Sequence, residues 1–232
     1  LKMHNQKTSK DKKAKIGGKI KFNVTIRNWI HQGFFYLDNT EMFYRLVWEL
    51  IPFTFFMYVL NLMGSSSWLY SILLSGFISH TLNWVFNDNF WTCIMFTFPK
   101  ILNPGEKLTI KYLANLQRRT NNNESISGCM IYGSLSRGEW QIKSDLDIRI
   151  LRKSGFLNGF KAYLFVFKER FIAVLKKQPL DIYLADSILF LKKMREDEFP
   201  IFIKNKDVNL KDEYKTNKVT DFSKVIKLNS IN

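Results

Sequence analysis

The pattern of hydrophobic and polar residues divides the chain near residue 100. Residues 50–87 contain no Asp, Glu, Lys or Arg, and a Gly/Ser run at 64–67 interrupts them. A helix that crosses a membrane needs about 20 apolar residues. The second half of the stretch has that length, and the first half approaches it by extending back to Leu46. The pattern therefore predicts two apolar helices joined by a short turn, which is a helical hairpin in a membrane.

The residues that flank this hairpin favour a bilayer. Five aromatic residues lie near the ends of the two predicted helices, where amphipathic rings prefer to sit, namely Trp48, Trp68, Tyr70, Trp84 and Trp91. Basic residues on the amino side and at Lys100 predict that both ends face the cytoplasm. The alternative is a buried two-helix subdomain of a soluble protein. The polar residues of 79–91 fit either an interfacial helix end or a functional group at membrane depth.

After Pro104 the pattern changes to alternating helices and strands. Helical spacing predicts helices over 105–120, 157–177 and 187–195, and apolar alternation predicts strands over 126–132, 145–151 and 180–185. We therefore expect an α+β fold, a small mixed β-sheet with flanking helices, preceded by the apolar hairpin. The expected domains are a basic arm (1–42), the hairpin (43–98), the α+β domain (99–205) and a polar tail (206–232).

The net charge indicates which partners the surface could attract, and the cysteine spacing bears on metal and disulfide sites. The net charge of the 232 residues is +15, and the hairpin region carries almost none of it. Such a surface attracts polyanions, nucleotides or anionic lipid headgroups, although a solvated lysine-rich face is an equally good explanation. The two cysteines, Cys93 and Cys129, do not have the spacing of metal ligands or of a disulfide framework.

Three aspartates carry the candidate chemistry. In the strand predicted from 145, strand periodicity places Asp145 and Asp147 on one face, opposite Leu146 and Ile148. Asp181 lies between apolar residues of another predicted strand and can reach the same face. Carboxylates this close repel one another unless they share a proton or a cation. Hard divalent cations with oxygen ligands, chiefly Mg²⁺, relieve that repulsion while they bridge phosphate oxygens.

A Gly-Ser turn ends the first predicted strand. Gly133 allows the backbone to approach a phosphate closely, and the amide groups at the start of the following helix can face the anion. The hydroxyl of Ser134 can add a hydrogen bond, and Arg137 can complement the phosphate charge. Ser144 either caps the strand entry or touches phosphate. We expect Gly133, Ser134, Arg137 and Ser144 to bind a nucleotide.

The order of these motifs resembles the nucleotidyltransferase superfamily, whose best-known member is DNA polymerase β. The form Gly133-Ser134-x-x-Arg137-Gly138 followed by Ser144-Asp145-x-Asp147 is most similar to the minimal nucleotidyltransferases, and the resemblance covers about residues 105–195. It implies a nucleotidyltransferase-like fold and a two-metal mechanism with Mg²⁺ or Mn²⁺. It also implies that Asp145 and Asp147 ligate both ions and that Asp181 is the third metal-binding carboxylate, which activates the acceptor hydroxyl. The chain departs from that pattern at Ser136, where Ala is usual, and in its apolar hairpin.

Together these features predict a membrane-associated nucleotidyltransferase with its catalytic domain on the cytoplasmic face. It would transfer a nucleoside monophosphate from a triphosphate, with ATP as the expected nucleotide, to a hydroxyl and release pyrophosphate. The acceptor could be lipid-linked, a glycan or a protein, and a nucleic acid fits less well. The alternatives are an antitoxin-type nucleotidyltransferase that acts on a partner protein and a non-catalytic nucleotide-binding module.

Overall fold

A computed structural model describes residues 26–32, 34, 37–64, 67–89, 104–140, 144–191, 199–205 and 220–222. The helices are α1 (Asn39–Leu62), α2 (Trp68–Trp84) with a π-helical turn (Val85–Asn89), α3 (Glu106–Asn121), α4 (Gly133–Ser136), α5 (Phe156–Leu175) and α6 (Ile188–Leu191). The strands are β1 (Ile126–Tyr132), β2 (Leu146–Arg152), β3 (Leu180–Ala185), β4 (Ile201–Asn205) and β5 (Thr220–Asp221).

The five strands form one mixed sheet in the order β3-β2-β1-β4-β5. Strand β1 is antiparallel to β2 and β4, whereas β2 is parallel to β3 across the α5 connection. Helices α3 and α5 lie on the same side of the sheet, because Arg119 of α3 binds Glu169 of α5 through two hydrogen bonds. The α+β class and the small mixed sheet with flanking helices are therefore confirmed.

Alternation along β2 and β3 separates the side chains of the main hydrophobic cluster from those on the opposite face of the sheet. Ile148 and Ile182 are buried in the main hydrophobic cluster. The side chains of a strand point alternately to its two faces, so Asp147 and Asp181 point away from that cluster. This is the arrangement that the period-2 pattern predicted.

The predicted elements match the structure closely, but the strands β4 and β5 were not predicted, and β5 lies in the segment expected to be a polar tail. The strand over 126–132 has the predicted bounds, and the two apolar helices lie on either side of the Gly/Ser run. Strand β4 was not predicted, although Ile201, Phe202 and Ile203 are all buried. The helix predicted over 187–195 is described only as far as Leu191. Most of the predicted arm (1–42) and tail (206–232) lies outside the described residues, as does the segment 90–98.

Helices α1 and α2 form the predicted apolar hairpin. By length and composition, α1 and the continuous helical segment Trp68–Asn87, which is α2 with part of the π-helical turn, could each cross a membrane, criteria that buried core helices also meet. Only 11% of the apolar window in α1 and 22% of that in α2 is buried in the structure. Large apolar side chains are exposed along the outer part of the hairpin, among them Leu50, Phe55, Tyr58, Leu73 and Phe77. The hairpin therefore presents an apolar surface that the rest of the described chain does not cover.

The beginning of α1 belongs structurally to the α+β domain. Glu41 is fully buried and accepts hydrogen bonds from Arg45, from Arg170 of α5 and from the backbone amide of Leu184 in β3. Buried charges are tolerated when they are paired and hydrogen-bonded in this way. The predicted boundary between arm and hairpin, at residues 42 and 43, thus falls inside the part of α1 that is fixed to the sheet.

Candidate functional site

One pocket of about 320 Å³ brings together the residues predicted from the Gly-Ser and Asp-x-Asp motifs. It lies at the end of β1 and the start of β2, and its lining is Tyr132, Gly133, Ser134, Arg137, Ser144, Asp145 and Asp147. Of the predicted site residues, Asp181 alone is outside this lining. Tyr132 is the one addition that sequence analysis missed, and its position directly before Gly133 was the available signal.

Asp181 is nevertheless the direct neighbour of Asp147. The two residues are paired in the register of the parallel strands β2 and β3. Burial of Asp147, the charges of Asp181 and Asp145, and a hydrogen bond between the carboxyl groups of Asp147 and Asp181 together raise the pKa of Asp147 to about 7. Ionised carboxylates at these positions therefore need a proton or a cation between them.

Arg149 supplies a positive charge that the sequence analysis did not assign. Its Nη2 lies 3.5 Å from Oδ2 of Asp181, and its guanidinium stacks 4.6 Å from the ring centre of Tyr183. It also donates a hydrogen bond to the carbonyl of Ile148. The sequence did contain an indication of this role, because strand alternation places Arg149 on the same face of β2 as Asp147. Arg149 compensates part of the negative charge of Asp181. The ionised form of Asp147 remains disfavoured, because burial and the two neighbouring carboxylates raise its pKa.

Gly133 permits the close approach between the end of β1 and the Asp147 carboxylate. Its φ is +72°, and a β-carbon there would lie 1.8 Å from Oδ2 of Asp147. A side chain at this position would need both an unfavourable backbone conformation and the displacement of Asp147. A glycine was expected here from the sequence so that a phosphate could approach the backbone. In the structure, the group that requires the glycine is the carboxylate of Asp147.

The hydroxyl of Ser134 and the guanidinium of Arg137 differ in their hydrogen bonding within the protein. The Oγ of Ser134 is buried and has no hydrogen-bond partner in the described part of the protein. A buried hydroxyl without a partner is costly, and it is commonly explained by an ordered water, an ion or a ligand. Arg137, in contrast, donates to Glu139 at 2.9 Å on the exposed rim. Ser134 is therefore the donor in the pocket that most clearly awaits a partner.

The carboxylates of the pocket are of the chemical type that binds hard divalent cations. Among the described residues, no three His, Cys, Asp or Glu side chains are placed so as to hold a metal by themselves. Mg²⁺ is usually bound by one or two carboxylates, with phosphate and water completing the octahedron. The contacting pair Asp147 and Asp181, with Asp145 on the pocket wall, fits that mode of binding.

No protein-family model matches the chain, and no curated protein is significantly similar to it.

Proposed function

We propose that the protein is a membrane-associated, metal-dependent nucleotidyltransferase. The observation that carries this proposal is the pairing of Asp147 with Asp181 directly beside Gly133, whose β-position is filled by the Asp147 carboxylate. The site combines closely spaced acidic ligands, a backbone free of side-chain bulk and the unused hydroxyl of Ser134. Those are the components that a triphosphate with its divalent cations requires.

Each residue has a role that follows from its position. Asp145 and Asp147 would hold Mg²⁺ or Mn²⁺, which when bound neutralises the triphosphate and favours ionisation of the attacking hydroxyl. Ser134 would donate a hydrogen bond to a phosphate oxygen. Asp181, on the neighbouring strand, would contribute to metal binding and accept the proton of the acceptor hydroxyl. The hydroxyl oxygen forms a bond to the α-phosphorus, the bond from that phosphorus to the bridging oxygen breaks, and pyrophosphate leaves.

The hairpin supports a location of the protein at a membrane surface. Its outer part exposes apolar side chains, whereas the beginning of α1 is fixed to the sheet by Glu41. The catalytic pocket would then remain at a constant distance from the bilayer, on the cytoplasmic face that the flanking basic residues predict.

The direct test is transfer of label from an α-³²P nucleoside triphosphate. Purified full-length protein would be incubated with each of the four triphosphates, Mg²⁺ or Mn²⁺, and a membrane extract. We expect labelling of an acceptor by the wild type and none by Asp145→Ala or Asp147→Ala. Glu124→Ala, an exposed acidic residue before β1, is the matched control. Undiminished transfer by the double variant at 145 and 147 would overturn the mechanism.

The ion pair of Arg149 with Asp181 also supports a second candidate, a nucleotide-binding module without transfer activity. A carboxylate that already has a cationic partner has less need of a metal ion, and Arg149 is buried against it. Calorimetry separates the two functions. Triphosphate binding without pyrophosphate release in the presence of any acceptor would favour the module.

A further inference from the structure

A second cavity, of about 350 Å³, lies on the other side of Asp181. It is enclosed by α1, the π-helical turn, α5 and the start of β3. Its apolar lining includes Trp48, Val85, Phe86, Phe167, Phe171 and Val174. The cavity thus forms where the membrane-type hairpin meets the sheet that carries the aspartates.

The polar groups of this cavity are few, and most have internal partners. Asn87 accepts hydrogen bonds from Tyr163 and Arg170, and Arg170 also binds Glu41 and the carbonyl of Ile182. Asp181 is the only carboxylate in the lining, and it is about 30% exposed. The cavity therefore has apolar walls and one acidic group, which it shares with the metal-binding pair.

Trp48 is one of the residues that line the cavity. Its indole nitrogen is buried and has no partner among the described residues. Such a nitrogen usually finds a partner when it is buried. A ligand with an apolar body and a single hydroxyl would match the apolar walls and the Asp181 acceptor.

We propose that this cavity binds the apolar chain of a lipid alcohol, which is the acceptor of the transferred nucleotide. The inference rests on the proposed function, since the nucleotide pocket supplies the triphosphate. The acceptor hydroxyl lies at Asp181, and Asp147, opposite Asp181 in register, faces the triphosphate. The alcohol oxygen forms a bond to the α-phosphorus, the bond from that phosphorus to the bridging oxygen breaks, and pyrophosphate leaves, while the hydroxyl proton passes to the Asp181 carboxylate as in the proposed function. The product is a nucleoside monophosphate ester of the lipid.

The source of the acceptor follows from the elements that build the cavity. Trp48 belongs to α1 and Val85 to the turn that continues α2, and these are the helices with exposed apolar surfaces. A lipid alcohol could pass from the bilayer along the hairpin into the cavity without leaving an apolar environment. A sugar or a peptide acceptor would gain nothing from such walls.

The test compares acceptors of different chain length. Full-length protein in detergent would receive Mg²⁺, a labelled triphosphate, and ethanol, hexanol or dodecanol as acceptor. We expect kcat/KM to rise at least tenfold from ethanol to dodecanol. Val174→Phe and, independently, Val85→Phe should abolish that preference while leaving the KM for the triphosphate and transfer to ethanol unchanged. Leu175→Phe, the adjacent exposed position outside the lining, is the matched control.

A second readout measures binding without turnover. Dodecanol that carries bromine on its chain should quench the fluorescence of Trp48, and the quenching should diminish in Trp48→Phe and Val174→Phe but not in Leu175→Phe.

The outcomes separate the two proposals. Transfer without a chain-length preference, or equal losses in Val174→Phe and Leu175→Phe, would overturn the lipid-alcohol site while the nucleotidyltransferase function stands. Transfer to no acceptor at all would overturn the proposed function and this inference with it.

Discussion

Gly133 and Asp147 occupy positions that exclude any side chain at residue 133, since a β-carbon there would lie 1.8 Å from the carboxylate oxygen Oδ2. The same glycine has a φ of +72°. Strain and steric conflict are therefore combined at one residue, at the point where β1 ends and the candidate nucleotide pocket begins. The geometry of Asp147 depends on the absence of atoms at position 133.

Gly133→Ala should reduce nucleotide transfer by about 100-fold, because a displacement of about 1 Å in a catalytic group can have that effect. Gly138→Ala is the matched control. Its φ is +73°, but a β-carbon there meets nothing within 4 Å, so it introduces the backbone strain without the clash. Steady-state kinetics and thermal unfolding of both variants make the comparison. Equal losses of activity would contradict a specific role for the contact with Asp147.

Sequence reasoning was most successful where a short-range period determined the structure. The alternation of Asp147 with Ile148 was sufficient to place the aspartate on the face opposite the main hydrophobic cluster, and the Asp181 strand follows the same rule. It was less successful where two distant segments meet. Glu41 and Arg45 have the spacing of an ordinary helical ion pair. Nothing local in the sequence indicates that Arg170 and the amide of Leu184 complete their cluster.

Two parts of the site could not be predicted from the sequence for the same physical reason, because each depends on contacts between distant segments. Arg149 follows Asp147 on the same face of β2, but its pairing with Asp181 depends on the register of a parallel strand that lies 32 residues further along the chain, which periodicity does not determine. The apolar cavity requires residues of four elements and could not be inferred from any one of them.

Ser134→Ala should separate ligand binding from stability. The Ser134 hydroxyl has no partner in the described structure, so its removal should leave the free energy of unfolding unchanged or raise it by up to about 1 kcal/mol. If the hydroxyl binds phosphate, the KM for the triphosphate should increase about fivefold to tenfold. The control is Ser127→Ala in β1, whose buried hydroxyl donates to the carbonyl of Leu151 at 3.0 Å. That variant should lose about 1 kcal/mol of stability. A destabilised Ser134→Ala protein with an unchanged KM would contradict the assignment.

Asp147→Asn should stabilise the protein in EDTA while it abolishes function. The substitution removes a negative charge that is partly buried beside Asp181. We expect Tm to rise by roughly 4 °C without metal and transfer to fall by at least about 100-fold. Added Mg²⁺ should raise the Tm of the wild type but not that of the variant. Asp145→Asn is the comparison, because Asp145 is exposed and the loss of its charge should raise the metal-free Tm by less than the substitution at Asp147 does. An Asp147→Asn protein that still responds to Mg²⁺ would show that the metal binds elsewhere.

Acid should weaken the attachment of α1 to the sheet through Asp186. Burial alone would raise the pKa of this carboxyl, but hydrogen bonds from Thr40 and Arg152 outweigh burial, so the pKa is lowered from 3.8. A group with a lowered folded-state pKa stabilises the protein above its unfolded pKa, and that contribution is lost as the pH falls through the folded-state value. Wild type should therefore exceed Asp186→Asn in stability by about 1 kcal/mol at pH 7. The difference should decline below about pH 4. Denaturant titrations at several pH values, with Glu124→Gln as an exposed control, measure it. A difference that is constant with pH would contradict this assignment.

For the membrane association proposed above, the expected depth of the hairpin in the bilayer is set by where its polar contacts end. Glu49 accepts from Asn83 at 2.7 Å and lies 3.0 Å from Nδ1 of His80, so this level of the hairpin is still polar. The part of α1 beyond it, residues 50–62, extends about 20 Å at 1.5 Å per residue. The hydrocarbon core of a bilayer is about 30 Å thick. The tip of the hairpin should therefore end inside the bilayer without reaching the opposite surface.

Cysteine labelling in sealed membrane vesicles tests that depth. In a background with Cys93→Ser, Met63→Cys at the end of α1 should react with a membrane-impermeant maleimide from neither side, and only after detergent is added. Lys107→Cys, an exposed position on α3, is the control and should react from the cytoplasmic side alone. Labelling of Met63→Cys from the opposite side would mean that the hairpin crosses the bilayer completely. Labelling from the cytoplasmic side would mean that its apolar surface contacts protein instead of lipid.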